Sequence, residues 1–174
     1  LLTQVKAQSP DVIYLPLQLA AQGAQIAKQM QELGVEAEVV GSDGLFSPDD
    51  FIAGAEGATE GAYVSQFAPD VHYIPEAEAA WQAYEEEYGS FGAYGPPSYE
   101  AMAILLDAIQ RAYENNGEVT REAVLQEVQA TEDRRGILGF DVTFNDKGDP
   151  AGASFYIFQV VGDHFELVKQ VAMD

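Results

Sequence analysis

Between Ser9 and Gly44 the sequence changes its hydrophobic period twice, and that change sets the fold class. After the break Ser9-Pro10-Asp11, the run Val12-Ile13-Tyr14-Leu15-Pro16-Leu17 is short and nearly continuously apolar, the pattern of a strand buried in a parallel sheet. Ala20 to Leu33 then spaces Ala21, Ala24, Ile26, Ala27, Met30 and Leu33 by threes and fours, and Gly34 stands where a helix takes a left-handed C-cap. Val35 to Val40 is a second apolar strand, closed by Gly41-Ser42-Asp43-Gly44. Strand, helix and strand with short loops make a βαβ unit, so the chain reads as α/β. Ligands of such sheets gather at the carboxyl ends of the strands, where both loops of interest lie.

The flanks extend this pattern. Leu1, Leu2 and Val5 share one face of a helix whose earlier turns are absent. Ser47-Pro48-Asp49-Asp50 is a helix start with Ser47 as N-cap, and the short helix ends near Gly54. Gly61 to Ser65 is a third strand. Gln66 to Pro75 is irregular, and we read it as a crossing between two lobes. Glu76 to Tyr88 is a helix with Ala80, Trp81 and Tyr84 inward and Glu85-Glu86-Glu87 towards solvent. A longer helix, Ser98 to Asn115, buries Ala101, Leu105, Ala108, Ile109 and Ala112. Thr120 caps a further helix to about Ala130, and three strands follow at Leu138–Phe144, Ser154–Val161 and His164–Val171.

Composition removes whole classes of function. Eight basic against 29 acidic residues leave a net charge of −21, which repels nucleic acid. We read this charge as a solvated surface, so stability is expected to rise with salt. With no Cys there is no disulfide, thiolate nucleophile or zinc ribbon. No G-x-S-x-G, G-x-G-x-x-G or Walker sequence occurs, and His72 and His164 read as surface residues in separate loops. Neither an enzyme nor a cofactor is expected. The Asn145-Asp146-Lys147-Gly148-Asp149 loop is acidic but lacks EF-hand spacing, and it reads as a turn rather than a metal site. Leu1 to Lys6 lacks the order of a signal peptide, and no apolar run reaches bilayer length.

Two residues carry open alternatives. Asp43, between Ser42 and Gly44 at a strand end, either contacts a ligand or hydrogen-bonds its own turn. Tyr94, in Phe91-Gly92-Ala93-Tyr94-Gly95-Pro96-Pro97, either walls a pocket or covers a helix end.

Ser9-Pro10-Asp11-Val12-Ile13-Tyr14, Gln25 to Gly34 before Gly41-Ser42-Asp43-Gly44, and Gly54 to Gly61 occur in an order shared with a known family. So do Trp81-x-x-Tyr84 with Tyr88-Gly89, Tyr99-Glu100-Ala101 with Leu106-Asp107-Ala108-Ile109, and Gly139-Phe140-x-x-x-Phe144-x-x-x-Gly148-Asp149. In this order they resemble the periplasmic substrate-binding proteins of branched-chain amino acid type ABC importers, of class I fold. The resemblance implies two parallel-sheet lobes joined by crossings, with ligand held between them. Residues 1–67 and 157–174 would belong to the second lobe and 68–156 to the first, the N-terminal half of the full protein having no counterpart. The implied ligand-binding residues are Asp43, Gln18, Tyr94 and Phe46. Asp43 would lie exposed against an α-ammonium. Gln18 departs from the family's aromatic and shifts the ligand towards an amino acid with a polar side chain or a small amide. The implied function is an extracytoplasmic solute-binding component that closes on its ligand and presents it to a membrane permease. The alternative is a ligand-sensing domain of the same fold, and self-association through unpaired sheet edges is expected of such a piece.

Overall fold

The computed structural model describes residues 1–173. The leading strand, helix and strand are β1 (Val12–Leu15), α2 (Ala20–Leu33) and β2 (Glu38–Gly41), preceded by the short α1 (Leu2–Lys6). Next come β3 (Tyr63–Gln66), α3 (Glu78–Tyr88), α4 (Gly95–Asn116), α5 (Arg121–Gln129), β4 (Arg134–Arg135), β5 (Asp141–Val142), β6 (Ser154–Val161) and β7 (His164–Ala172). The chain divides into two compact units: Leu1–Phe67 with Ser154–Val171, and Ala68–Ala153 with Ala172–Asp174.

The first unit holds a five-stranded sheet in the order β1-β2-β3-β6-β7. β1, β2 and β3 are parallel, Val12 lying opposite Glu38 and Gly41 opposite Val64, while β6 runs antiparallel to β3. α2 stops at Gly34, whose φ of 63° is the left-handed conformation that glycine adopts without a Cβ clash. Its core joins Leu45, Phe51 and Val64, all fully buried, to Phe158 and Val160 of β6. β6 buries every second residue, Ser154, Tyr156, Phe158 and Val160, as a half-covered strand must. Ser47 does cap, its hydroxyl accepting from Asp50 N–H at 3.1 Å. The segment it opens is a single wide turn, Pro48–Ile52, followed by a tighter one, Ala53–Ala55, and not a regular helix.

The second unit is mainly helical. Its described strands form a two-stranded antiparallel ribbon, β4 with β5, so the parallel strands of this fold lie in the first unit. Val71, Ala77, Phe91, Ile137 and Leu138 make its core, with Trp81 and Phe140 packed at the edge.

Three local expectations change here. The buried face of α4 is Pro96, Glu100, Ile104, Ala108 and Ala112, whereas Ala101 and Leu105 face outward. The helix is rotated because Glu100 has partners inside: it accepts from Arg134 and, at 2.7 Å, from Ile137 N–H. That capture of Ile137, together with Gly139 at φ 75°, breaks the expected strand 138–144 into the short strand Asp141–Val142 and an isolated antiparallel bridge from Phe144 to Pro150. Glu85, expected in solvent, is half-buried and accepts from Phe91 N–H at 3.2 Å. The Asn145 to Asp149 loop is a turn: Asn145 Oδ1 accepts from Lys147 and Asp149 N–H.

Candidate ligand-binding site

In the first unit the carboxyl ends of β1 and β2 lead into two loops that are locked together. Ser42 N–H donates to Leu15 O at 3.2 Å, and Ser42 Oγ donates to Leu17 O at 2.9 Å. Ser65 Oγ of β3 donates to Gly41 O at 3.3 Å, tying the third strand to the same corner. At Gly44 an added Cβ would overlap Leu17 O and stand 2.5 Å from Gln18 Cα. Only glycine lets the two backbones come this close. Leu45 then turns inward, where Gly23 and Gly41 leave room; a Cβ on either would meet its side chain at 2.6 Å. The tight turn Asp43–Leu45 thus drives Leu45 into the core and leaves Asp43 at the rim.

Asp43, Gln18 and Phe46 come together at this end of the sheet. Asp43 is half-buried rather than exposed, because its turn is pressed against the β1 loop and β3. Gln18 is exposed. Phe46 is partly buried and stacks on Phe165, centroids 4.4 Å apart, with Phe158 at 4.8 Å. Its ring is anchored in the core, a role that the residue type alone did not reveal. Tyr94 belongs to the second unit, 42% exposed at the N-cap of α4, where its carbonyl accepts from Ser98 N–H at 3.1 Å.

Sequence reading missed Gln66, the last residue of β3. It is buried on the same side as Val64; Oε1 accepts from Phe67 N–H at 2.9 Å, while buried Nε2 has no hydrogen-bond partner. The signal was present as a polar residue in phase with the buried position of an otherwise apolar strand. A groove of about 550 Å³ opens at the opposite, amino end of this sheet, lined by Asp11, Glu36, Glu38 and Glu60. We place the candidate site at the carboxyl end, where parallel sheets present converging loops and their polar groups.

In the second unit, charge does much of the positioning. Arg134 bridges Glu100 and Asp107, with Nε to Asp107 at 2.8 Å. Arg135 pairs with Glu76 at 2.8 Å and Asp141 at 3.5 Å. Glu127 accepts from Asn115 at 2.8 Å and Arg111 at 3.1 Å, bonds that hold its pKa below the ordinary carboxylate value. Among the described residues no group of three or more His, Cys, Asp or Glu is placed to hold a metal ion, and no helix is long and apolar enough to cross a membrane.

A sheet whose parallel strands β1 to β3 end in locked loops, with an acid on their rim, has the architecture of the α/β folds that present polar groups at the carboxyl ends of their strands. The chain belongs to the periplasmic binding protein family, whose model matches residues 1–164. It is 25% identical to the Leu/Ile/Val-binding protein BraC3 of Rhizobium johnstonii over 159 residues, 91% of this chain and 41% of that protein. The crystal structure of a leucine binding protein, LivK, from Thermotoga maritima superposes with a TM-score of 0.81 at 25% identity, covering 98% of this chain and 47% of that one. A solute binding protein from R. palustris in complex with benzoate shares the fold at 14% identity and a TM-score of 0.80, covering 99% of this chain and 46% of that one. The chain therefore spans less than half the length of these relatives. The family consists of binding proteins, not enzymes.

Proposed function

We propose that this chain is part of the solute-binding component of an ABC importer, which captures an amino acid or small amide by lobe closure and delivers it to a membrane permease. Its place of work is the periplasm or the extracellular face, next to that permease. The reading rests on family membership together with names such as Leu/Ile/Val-binding protein among its relatives. The observation that supports it is the close approach of Gly44 to the Leu17–Gln18 backbone, which brings the turn bearing Asp43 against the loop after β1 at the carboxyl end of the sheet. In this reading Asp43 pairs with the ligand's ammonium and Gln18 with a polar side chain or amide, while Phe46 supplies aromatic surface beside them. By the resemblance, residues 1–67 with 157–174 are the second lobe and 68–156 the first, although the compact units divide at Ser154, where β6 begins, and after Val171. Titration calorimetry with a panel of amino acids and small amides tests it. Asp43→Ala should weaken the tightest response by about 10- to 100-fold, the worth of a charge-assisted hydrogen bond. Equal affinities would remove Asp43 from the site.

A further inference from the structure

Away from the candidate site, one cluster places a base between two acids in a way that fixes its proton count. His72 lies in the turn Val71–Tyr73, just after the chain leaves β3 and enters the second unit. Its Nδ1 is 2.6 Å from Asp70 Oδ1 and its Nε2 is 3.2 Å from Glu85 Oε1 of α3. The ring packs against Trp81 of α3, centroids 4.9 Å apart. Carboxylates only accept hydrogen bonds, and a neutral imidazole has a single N–H. Both contacts are hydrogen bonds only when the ring is an imidazolium.

We propose that His72 is a proton-operated latch: charged, it ties the Asp70–Tyr73 turn to α3 through Glu85, and on losing its proton it lets Glu85 go. The proton lost is the one on Nε2, because Asp70 holds the other side more closely and also accepts from His72 backbone N–H at 3.0 Å. Glu85 Oε1 is the acceptor for Phe91 N–H as well, at 3.2 Å. Phe91 is buried, stacked on Tyr84 at 4.4 Å, and it opens the loop that carries Tyr94. A lone pair on Nε2 facing this carboxylate repels it, so the same deprotonation loosens the Phe91 end of that loop. The charged groups bonded to the ring are Asp70 from its own turn and Glu85 from α3; Trp81 presents an uncharged face. Burial pulls the pKa of His72 down, but hydrogen bonds and charge from Asp70 and then Glu85 outweigh it, and the net shift is upward. The latch does not depend on which ligand the protein takes.

NMR titration of the histidine side chains tests the latch together with amide exchange at Phe91. His72 should titrate above about 6.5, the ordinary histidine value, and its neutral form should carry the proton on Nδ1. Protection of the Phe91 amide should fall by at least about threefold as pH rises through that midpoint, and His72→Gln should abolish this pH dependence. Glu85→Gln should lower the His72 midpoint; it leaves the turn and Trp81 in place and so answers even if His72→Gln fails to fold. A midpoint at or below the ordinary value, a neutral Nε2–H tautomer, an unmoved midpoint in Glu85→Gln, or Phe91 protection indifferent to pH would each overturn the proposal.

Discussion

The two units of this chain solve the same problem with different chemistry. The first packs an apolar sheet around Leu45, Phe51, Val64 and Phe158. The second has a smaller apolar cluster and pins its helices with ion pairs. All four arginines, Arg111, Arg121, Arg134 and Arg135, lie in the second unit, and the first has only Lys6, Lys28 and Lys169 as cations. In a chain of net charge −21, cations are scarce. Concentrating the arginines where apolar burial is least gives that unit directional contacts, at the cost of sensitivity to pH and salt.

The sharpest way to break this comparison is to remove its most buried charge. Glu100→Ala leaves Arg134 without its inner partner and Ile137 N–H without an acceptor. The expected loss is about 3–5 kcal/mol, confined to the second unit when read by hydrogen exchange. The matching change in the first unit is Leu45→Ala, which empties a fully buried site and should cost about 2–5 kcal/mol. That loss should be the same at low and high salt, whereas the effect of Glu100→Ala should vary with it. Equal salt responses from the two variants would dissolve the distinction.

Gly44→Ala should cost less, about 1–3 kcal/mol, because the loops can move apart to admit the methyl. It bears on function more than on stability, since separating the loops moves Asp43 away from Gln18. Weaker ligand response with a melt shifted by only a few degrees is the expected calorimetric outcome.

Titration should separate the units further. Glu127 and Glu76 in the second unit have depressed pKa values, from the Asn115 and Arg111 bonds in one case and from Arg135 in the other. Their stabilisation is present above the ordinary carboxylate pKa and is lost as pH falls through the lower folded values. His72 has a raised pKa, so its contribution is present below about 6.5 and is lost as pH rises through the folded value. The second unit should therefore be most stable between these limits. In the first unit Lys28 lowers the pKa of Glu56, through one exposed pair. Its melting temperature should consequently change less across the same pH range.

The same contrast explains what could be read from sequence. The βαβ unit, the Gly34 stop and the Ser47 and Thr120 caps were legible because each depends on residues within a few positions. The face of α4 was not. Hydrophobic periodicity assigns Ala101 and Leu105 to the core, and nothing near Glu100 announces that Arg134, 34 positions on, will neutralise it there. At the candidate site, the place of Asp43 after an apolar strand was legible, whereas Gln18 was named only through the family resemblance; the anchoring of Phe46 depends on β6 and β7, far along the chain.

The smallest expected effects come from the two caps, and because the cap is chemically the same in each unit, any difference reports what lies behind it. Ser47 accepts from Asp50 N–H and Thr120 from Ala123 N–H, both at 3.1 Å. Each change to alanine should cost about 1 kcal/mol in the turn or helix it holds. Behind Ser47 stand Phe51 and Ile52, both buried in the first unit's core, so loosening that turn disturbs the whole unit. Ser47→Ala should lower the global melt of the first unit. α5 has no fully buried residue and is held to α4 by the Arg111–Glu127 pair and its neighbours. Its end can fray without opening a core, so Thr120→Ala should speed amide exchange in α5 while leaving the melting temperature almost unchanged. A global loss from Thr120→Ala as large as that from Ser47→Ala would mean that α5 is as firmly built into its unit as the sheet is into the other.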